Sequence, residues 1–248
     1  MRKIVSLFLF VAVATGEKGV YAAGPVVAEN LPVASATQSA VAPVEVAGVQ
    51  SGYFSEIYRH LGLDRLINFS VFEKAIMGYN KITAKKKEIL ALIDFSKPST
   101  EQRLFVIDLK EEKMLFSTYV AHGKNSGDNY ATSFSNKQGS HKSSLGFFLT
   151  ANSYMSNRNG YSLQLLGLEN GINDNALTRG VVVHGADYCD PAYIEGNGRL
   201  GRSFGCPAIP EDLTAPIIDT LKGGAVLFIY APDQSYLSHS SLLKPSKS

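Results

Sequence analysis

One histidine and one cysteine in this sequence stand in settings that suit nucleophilic chemistry. His184 follows three β-branched residues, Val181–Val183, and precedes Gly185. Such a run predicts a buried strand that ends at the histidine, and the glycine permits a sharp exit that leaves the imidazole accessible. Cys206 follows Gly205, and a nearby histidine can take the proton of a thiol to give the reactive thiolate. The pair indicates a cysteine nucleophile with a histidine base.

The residues around Cys206 predict a tight turn. Ser203, Phe204 and Gly205 precede the cysteine, and Pro207 follows it. Glycine adopts backbone angles that other residues resist. In such a turn the N–H groups of Gly205 and Cys206 can point at one spot and form an oxyanion hole, with Ser203 as a further turn residue.

Two structural alternatives compete with this interpretation. Cys189 lies 17 positions before Cys206, a separation that permits a disulfide in an oxidising compartment. For His184 the alternative is a buried strand histidine with a satisfied ring.

A metal-dependent peptidase built on His122, His141 and His184 is a third alternative. Zinc needs compactly spaced ligands, and the sequence has no His-x-x-x-His pair and no neighbouring carboxylate motif. Thiol chemistry is therefore favoured over a metal site.

Several stretches together resemble the L,D-transpeptidase (YkuD-type) catalytic domain, and more narrowly its murein L,D-transpeptidase branch. The resemblance covers roughly residues 90–230. The stretches that carry it are Val120–Gly127, Ser144–Phe148, Val183–Ala186 and Gly198–Ala208.

The resemblance implies a mainly β fold, a YkuD-like β-sandwich core with a few short helices. Apolar residues at helical spacing predict an N-terminal helical segment before it. It implies Cys206 as nucleophile, His184 as base and the Gly185 carbonyl as the group that orients the imidazole. The implied donor is a peptidoglycan tetrapeptide stem, cleaved after its diamino acid with release of D-alanine. Transfer to an amine would cross-link two stems, and transfer to water would trim one. Neither a metal nor an organic cofactor is implied.

The sequence departs from the family pattern near the nucleophile. Phe204 stands where the pattern has a histidine, and Pro207-Ala208 where an arginine or asparagine soon follows the cysteine. If the substrate carboxylate needs a cation, Arg202 or Arg199 is the candidate, because a guanidinium can grip a carboxylate with two hydrogen bonds. His122, at the foot of a long polar loop, either lines the substrate cleft or caps a strand end. The departures leave a non-catalytic wall-binding module open as a further alternative.

Short strand-like runs must position these residues. Their apolar content and the Gly- and Ser-rich segments between them predict an all-β core, with one helix between Leu213 and Leu221. The predicted strands are Ile89–Phe95, Leu104–Leu109, Met114–Ala121, Leu145–Thr150, Ser162–Glu169, Gly180–His184 and Ala225–Tyr230.

The N-terminal region predicts export. Arg2 and Lys3 precede the apolar run Ile4–Ala14, which is too short to cross a bilayer. We interpret residues 1–22 as a signal peptide, residues 23–50 as a flexible linker and residues 51–88 as a helical segment. Residues 89–232 would form the catalytic domain and residues 233–248 a tail. The predicted location is the periplasm or cell envelope, with no stable membrane insertion after signal cleavage.

Composition agrees with a globular exported protein. The 248 residues are 45% hydrophobic and 19% charged, with a net charge of +2. Because no basic block is present, the sequence does not indicate a nucleic-acid partner. The predicted partners are peptidoglycan stem peptides, and the oligomeric state is left open.

Overall fold

The computed structural model describes residues 47–244. The predicted signal peptide and residues 23–46 of the predicted linker lie outside the described residues. The remaining linker residues, 47–50, belong to the first helix.

Within residues 47–244, eight strands form one hydrogen-bonded sheet, and five α-helices accompany it. The mainly β fold with a few short helices is therefore confirmed. The strands are β1 (Ile89–Asp94), β2 (Leu104–Asp108), β3 (Lys113–Thr118), β4 (Gly146–Ser156), β5 (Gly160–Gly167), β6 (Val182–Gly185), β7 (Ala208–Ile209) and β8 (Val226–Tyr230). The helices are α1 (Ala47–His60), α2 (Phe69–Lys81), α3 (Pro191–Asn197), α4 (Glu211–Leu221) and α5 (Gln234–His239).

The strand order is β3-β2-β1-β8-β4-β5-β6-β7. β1 and β8 run parallel at the centre, and β6 and β7 run parallel at one edge. The central strands are buried along nearly their whole length, which explains why they appear in the sequence as continuous apolar runs rather than alternating ones.

Helix α2 covers the centre of the sheet with an apolar face that includes Val71, Phe72 and Ile76. Its Gly78 lies so close to Phe147 that a Cβ there would be 2.0 Å from the ring. The residues Ser70-Val71-Phe72-Glu73 fit a capping box and so predict Ser70 as the N-cap of this helix. That prediction is wrong, because the N-cap is Asn68. The helix begins at Phe69, and the side chain of Asn68 accepts the backbone N–H of Ser70 at 2.9 Å.

The two edges of the sheet approach each other just beyond β3. Ala121 forms an isolated bridge with Ala208 of β7, and Gly123 forms another with Ser203. The backbone N–H of Ala121 donates to the Ala208 carbonyl at 2.8 Å. The chain that follows β3, at one edge of the sheet, thus contacts β7 at the other edge, so the sheet must be strongly curved. The two bridging residues Ser203 and Ala208 lie on either side of Cys206 in the sequence.

The structure also contains elements that the sequence patterns do not show. β4 extends six residues beyond the predicted Thr150, and β7 has two residues. Helix α3 follows Cys189, and α5 lies in the predicted C-terminal tail, where it buries Tyr236. Among residues 47–244, none of the helices combines the length and the apolar character needed to cross a membrane.

Candidate active site

His184 lies on β6, between β5 and β7. The ring is almost completely buried, and its Nδ1 lies 2.9 Å from the carbonyl oxygen of the next residue, Gly185. A carbonyl can only accept, so Nδ1 carries the proton and Nε2 is left with its lone pair. Burial lowers the pKa of His184, although the Gly185 carbonyl opposes this and the charge of Arg158 adds to it. The imidazole is therefore held neutral and able to take a proton.

Ser203 fixes the turn that precedes Cys206. Its Oγ accepts the Gly205 N–H at 3.0 Å and donates to the Cys206 carbonyl at 2.6 Å. Gly205 has φ 127°, and a Cβ there would lie 2.9 Å from the Lys142 carbonyl oxygen. The turn thus requires glycine for both its backbone angle and its close contact.

The hydrogen bonds of this turn leave one of the two expected oxyanion-hole donors already occupied. The Gly205 N–H is already bonded to Ser203, whereas within residues 47–244 the Cys206 N–H has no acceptor. Of the two N–H groups expected from the sequence, only that of Cys206 is free to meet an oxyanion. Ser203 supports the turn as expected, through its side chain.

The thiol of Cys206 is half-buried, and its Sγ lies 3.7 Å from the Gly180 carbonyl oxygen. Burial raises the pKa of Cys206, while the Val182 N–H and the charges of Arg179 and Arg158 oppose the rise. The described hydrogen bonds include none between Cys206 and His184. The resting pair is therefore a neutral thiol and a neutral imidazole that share one cavity.

That cavity has a volume of about 610 Å³ and contains both reactive side chains in its wall. Cations and carboxylates both contribute to the wall, so it suits a polar ligand. It is lined by Arg158, Asn159, Gly160, Arg179, Gly180, His184, Gly185, Ala186, Asp187, Tyr188, Arg202, Ser203, Phe204, Cys206 and Glu211.

The two arginines expected to bind substrate share a protein carboxylate instead. Arg199 Nε lies 2.7 Å from Asp128 Oδ1, and Arg202 Nη1 lies 3.2 Å from the same oxygen. Arg202 lines the cavity and Arg199 does not. Sequence reasoning missed two other arginines in the wall, Arg158 and Arg179, because neither lies in a stretch of the family pattern.

His122 does not line the cavity, so its expected contact with substrate is not supported. The ring is fully buried, and Nδ1 lies 2.8 Å from Nη2 of Arg103, itself fully buried. The Phe95 ring packs edge-on against His122 at 5.9 Å. Its backbone is close to the site, since the His122 carbonyl accepts the Ser203 N–H at 2.9 Å.

Cys189 is a free, fully buried thiol, and Cys206 is also free. The disulfide alternative is therefore not the state in this structure. Cys189 Sγ donates to the Ala208 carbonyl at 3.1 Å. Burial raises its pKa to about 12, so this thiol is a packing residue behind β7.

The three histidines of the metal alternative have separate surroundings. His122 contacts Arg103, His184 contacts Gly185, and the His141 ring lies 4.8 Å from that of Phe204. Over residues 47–244, no three His, Cys, Asp or Glu side chains are grouped so that they could hold a metal ion.

Comparisons with known proteins identify the family of this chain. The sequence model of the L,D-transpeptidase catalytic domain (YkuD_2) matches residues 63–230. The match covers more than half of the chain, and the chain belongs to this family. The family expected from the sequence is thereby confirmed. A comparison with curated protein sequences gives no match.

Solved structures of L,D-transpeptidases are also similar to this chain. One from Mycobacterium smegmatis shares 16% identity with a TM-score of 0.37, covering 58% of this chain and 59% of that one. One from Stackebrandtia nassauensis shares 13% identity with a TM-score of 0.37, covering 73% and 77%. L,D-transpeptidase 1 from Mycobacterium tuberculosis shares 13% identity with a TM-score of 0.34, covering 58% and 62%.

Proposed function

We propose that this protein is a cysteine-dependent peptidoglycan L,D-transpeptidase that acts on tetrapeptide stems in the cell envelope. The observation that carries the proposal is the shared cavity: Cys206 and His184 both line it, and the Gly185 carbonyl leaves His184 Nε2 free to accept a proton. Membership in the L,D-transpeptidase catalytic domain family supports the same chemistry.

In the first half-reaction, His184 takes the thiol proton as Cys206 Sγ attacks the carbonyl carbon of the peptide bond after the diamino acid. The oxyanion that forms meets the free N–H of Cys206. The carbon–nitrogen bond then breaks, His184 returns the proton to the leaving nitrogen, and D-alanine departs. The product is a thioester between the stem and Cys206.

In the second half-reaction, an amine of a neighbouring stem attacks the thioester carbon. His184 removes a proton from the attacking nitrogen and gives it to the departing sulfur. The new amide bond cross-links two stems, and the free thiol is restored. Water in place of the amine would give a trimmed stem.

The acyl transfer is tested by incubating residues 51–248 with a disaccharide-tetrapeptide under mild reduction, with Cys206→Ala as the matched variant. Mass spectrometry follows the products. We expect a cross-linked dimer that is absent with Cys206→Ala. Loss of D-alanine alone would identify a carboxypeptidase. If folded protein with a free thiol changes nothing, the enzymatic proposal is wrong and the wall-binding alternative replaces it.

A further inference from the structure

The arginines near Cys206 differ in how many hydrogen bonds and ion pairs they already make with groups of the protein. Arg179 donates to the Ser135 carbonyl at 2.7 Å and to the Lys142 carbonyl at 2.8 Å. Arg199 and Arg202 share Asp128, as described above. Each of these three guanidinium groups already bonds to acceptors of the protein.

Arg158 is different. Within residues 47–244 its guanidinium has neither a hydrogen-bond acceptor nor a carboxylate partner, and its side-chain contact is the Phe204 ring, 4.9 Å from the centroid. The residue is exposed, and it lines the cavity that contains Cys206. It is thus the cation of the wall whose donors are available to a ligand.

The backbone around Arg158 is ordered by its own hydrogen bonds. The β4–β5 hairpin continues beyond β8, because β8 pairs only with residues Gly146–Leu149 of β4. At the tip, the N–H groups of Arg158 and Asn159 donate to Ser156 Oγ at 3.2 and 3.3 Å. The hairpin therefore presents Arg158 from a defined turn.

Phe204 lies against the free cation, with the Arg158 guanidinium over its ring. Its side chain is 51% exposed, so the ring is accessible to cations at the cavity wall. Besides Arg158, the Lys124 ammonium lies over the ring at 4.5 Å. A guanidinium on an aromatic face is attracted by the π electrons and keeps its N–H groups for an acceptor.

We propose that Arg158 is a specificity-determining residue that binds a carboxylate of the donor next to Cys206, and that Phe204 positions it. The proposal rests on the proposed function for the identity of the donor. A tetrapeptide stem can supply that carboxylate from its terminal D-alanine or from a side-chain carboxylate of the diamino acid. The interaction would be a charge-assisted, two-pronged hydrogen bond of the kind that guanidinium groups form.

The cation is first tested without any substrate, through the rates at which iodoacetate and iodoacetamide alkylate Cys206. Both reagents lose iodide to the thiolate, and only iodoacetate carries a carboxylate. The ratio of the two rates cancels changes in thiolate fraction. We expect Arg158→Gln to lower the iodoacetate-to-iodoacetamide ratio about 5- to 10-fold, as for a partly screened charge pair.

Phe204→Leu should lower the same ratio by a smaller factor, since it keeps the cation and removes the aromatic face beneath it. Arg65→Gln is the matched control, because it removes the same charge from an exposed position outside the cavity wall. It should leave the ratio unchanged. An Arg158→Gln ratio equal to that of the wild type overturns the proposal.

The source of the carboxylate is then identified with three donors: the free stem, a stem amidated at the terminal D-alanine, and a stem amidated at the diamino acid. Arg158→Gln should lower kcat/KM about 10- to 100-fold on the free stem. The loss should disappear with the donor whose relevant carboxylate is amidated. An equal loss on all three donors indicates a structural role and overturns the proposal. Wild-type protein without Cys206-dependent turnover contradicts the proposed function, and the alkylation ratio still decides the role of Arg158.

Discussion

The Ser203 hydroxyl bonds to two successive residues of the turn that carries Cys206. It donates to the carbonyl oxygen of Cys206 at 2.6 Å. The Ser203 Oγ in turn accepts the Gly205 N–H at 3.0 Å. The Ser203 side chain therefore fixes the backbone at Gly205 and at Cys206, on both sides of the peptide bond that joins them. Because the hydroxyl is buried, water cannot replace it when it is removed.

Ser203→Ala should lower both activity and stability. The loss of two buried hydrogen bonds should reduce the free energy of unfolding by about 2 kcal/mol. The freed turn should misplace the thiol and reduce kcat/KM by about 10- to 100-fold. Urea unfolding and steady-state kinetics measure the two effects. Ser117→Ala, which removes the exposed hydrogen bond to Gln102, is the control, and an equal effect of both variants would contradict the role of Ser203.

Gly205→Ala should be more damaging than an ordinary glycine substitution. The methyl group would sit at φ 127° and 2.9 Å from a carbonyl oxygen, so the turn must shift, at a cost of about 1–3 kcal/mol. We expect loss of Cys206-dependent activity in a protein that remains folded by circular dichroism. Gly196→Ala, where a Cβ has open space, should keep full activity. Wild-type activity in Gly205→Ala would show that the turn tolerates a side chain.

The pH dependence of kcat/KM should have an acid limb below the ordinary titration range of histidine, about pH 6.5. Burial lowers the pKa of His184, so the imidazole stays neutral to lower pH, and activity falls only when it gains a proton there. The limb should be absent in His184→Asn, whose residual activity should be at least about 100-fold lower. An acid limb above the ordinary histidine range would indicate an ion pair with the Cys206 thiolate instead.

The stability of the protein should fall in mild acid through His122. Burial and the neighbouring Arg103 lower the pKa of His122 to about 4. The unfolded chain therefore binds a proton between about pH 6.5 and pH 4 that the folded chain does not, and about 3 kcal/mol of stability is lost across that window. Urea unfolding at several pH values measures the slope. His122→Asn should show a shallower slope over the same window, and parallel slopes would rule out this residue as the cause.

The two cysteines should differ in reactivity. Cys206 lines the cavity, whereas Cys189 is fully buried with a pKa raised to about 12. A thiol reagent should modify one residue in the native protein and both in denaturant, and Cys206→Ala should remove the native reaction. A native reaction that survives in Cys206→Ala and is lost in Cys189→Ala would reverse the assignment.

The parts of the fold that follow from local pattern are predicted well from the sequence. β1, β2 and β8 are continuous apolar runs, and their observed bounds differ from the predicted ones by at most one residue. Helix α2 is predicted with the wrong cap, because Ser70 and Asn68 are both good capping residues and the backbone at Asn68 decides between them. β7 is too short to have a pattern, and it exists only because β6 and Ala121 lie on either side of it.

The site follows the same rule. Cys206 and His184 each stand next to a glycine in the sequence, and the structure places both in the wall of one cavity, while their catalytic roles stay predictions. The roles of the arginines depend on which carboxylates and carbonyls the fold brings near them, and a single sequence does not contain that information. Asp128 lies 71 positions before Arg199, and nothing in the spacing indicates their ion pair.

The two-residue strand β7 also affects when the turn around Cys206 becomes ordered. The segment with the proposed nucleophile, Cys206, is held by pairings between residues 87 and 80 positions apart, Ala121 with Ala208 and Gly123 with Ser203. Closing loops of this length costs conformational entropy, which the few hydrogen bonds of a two-residue strand offset only weakly. A chain in which these pairings have not formed would expose its thiol without the turn that holds Cys206. Conversely, local opening of this short strand would switch off the chemistry while the central sheet stays intact.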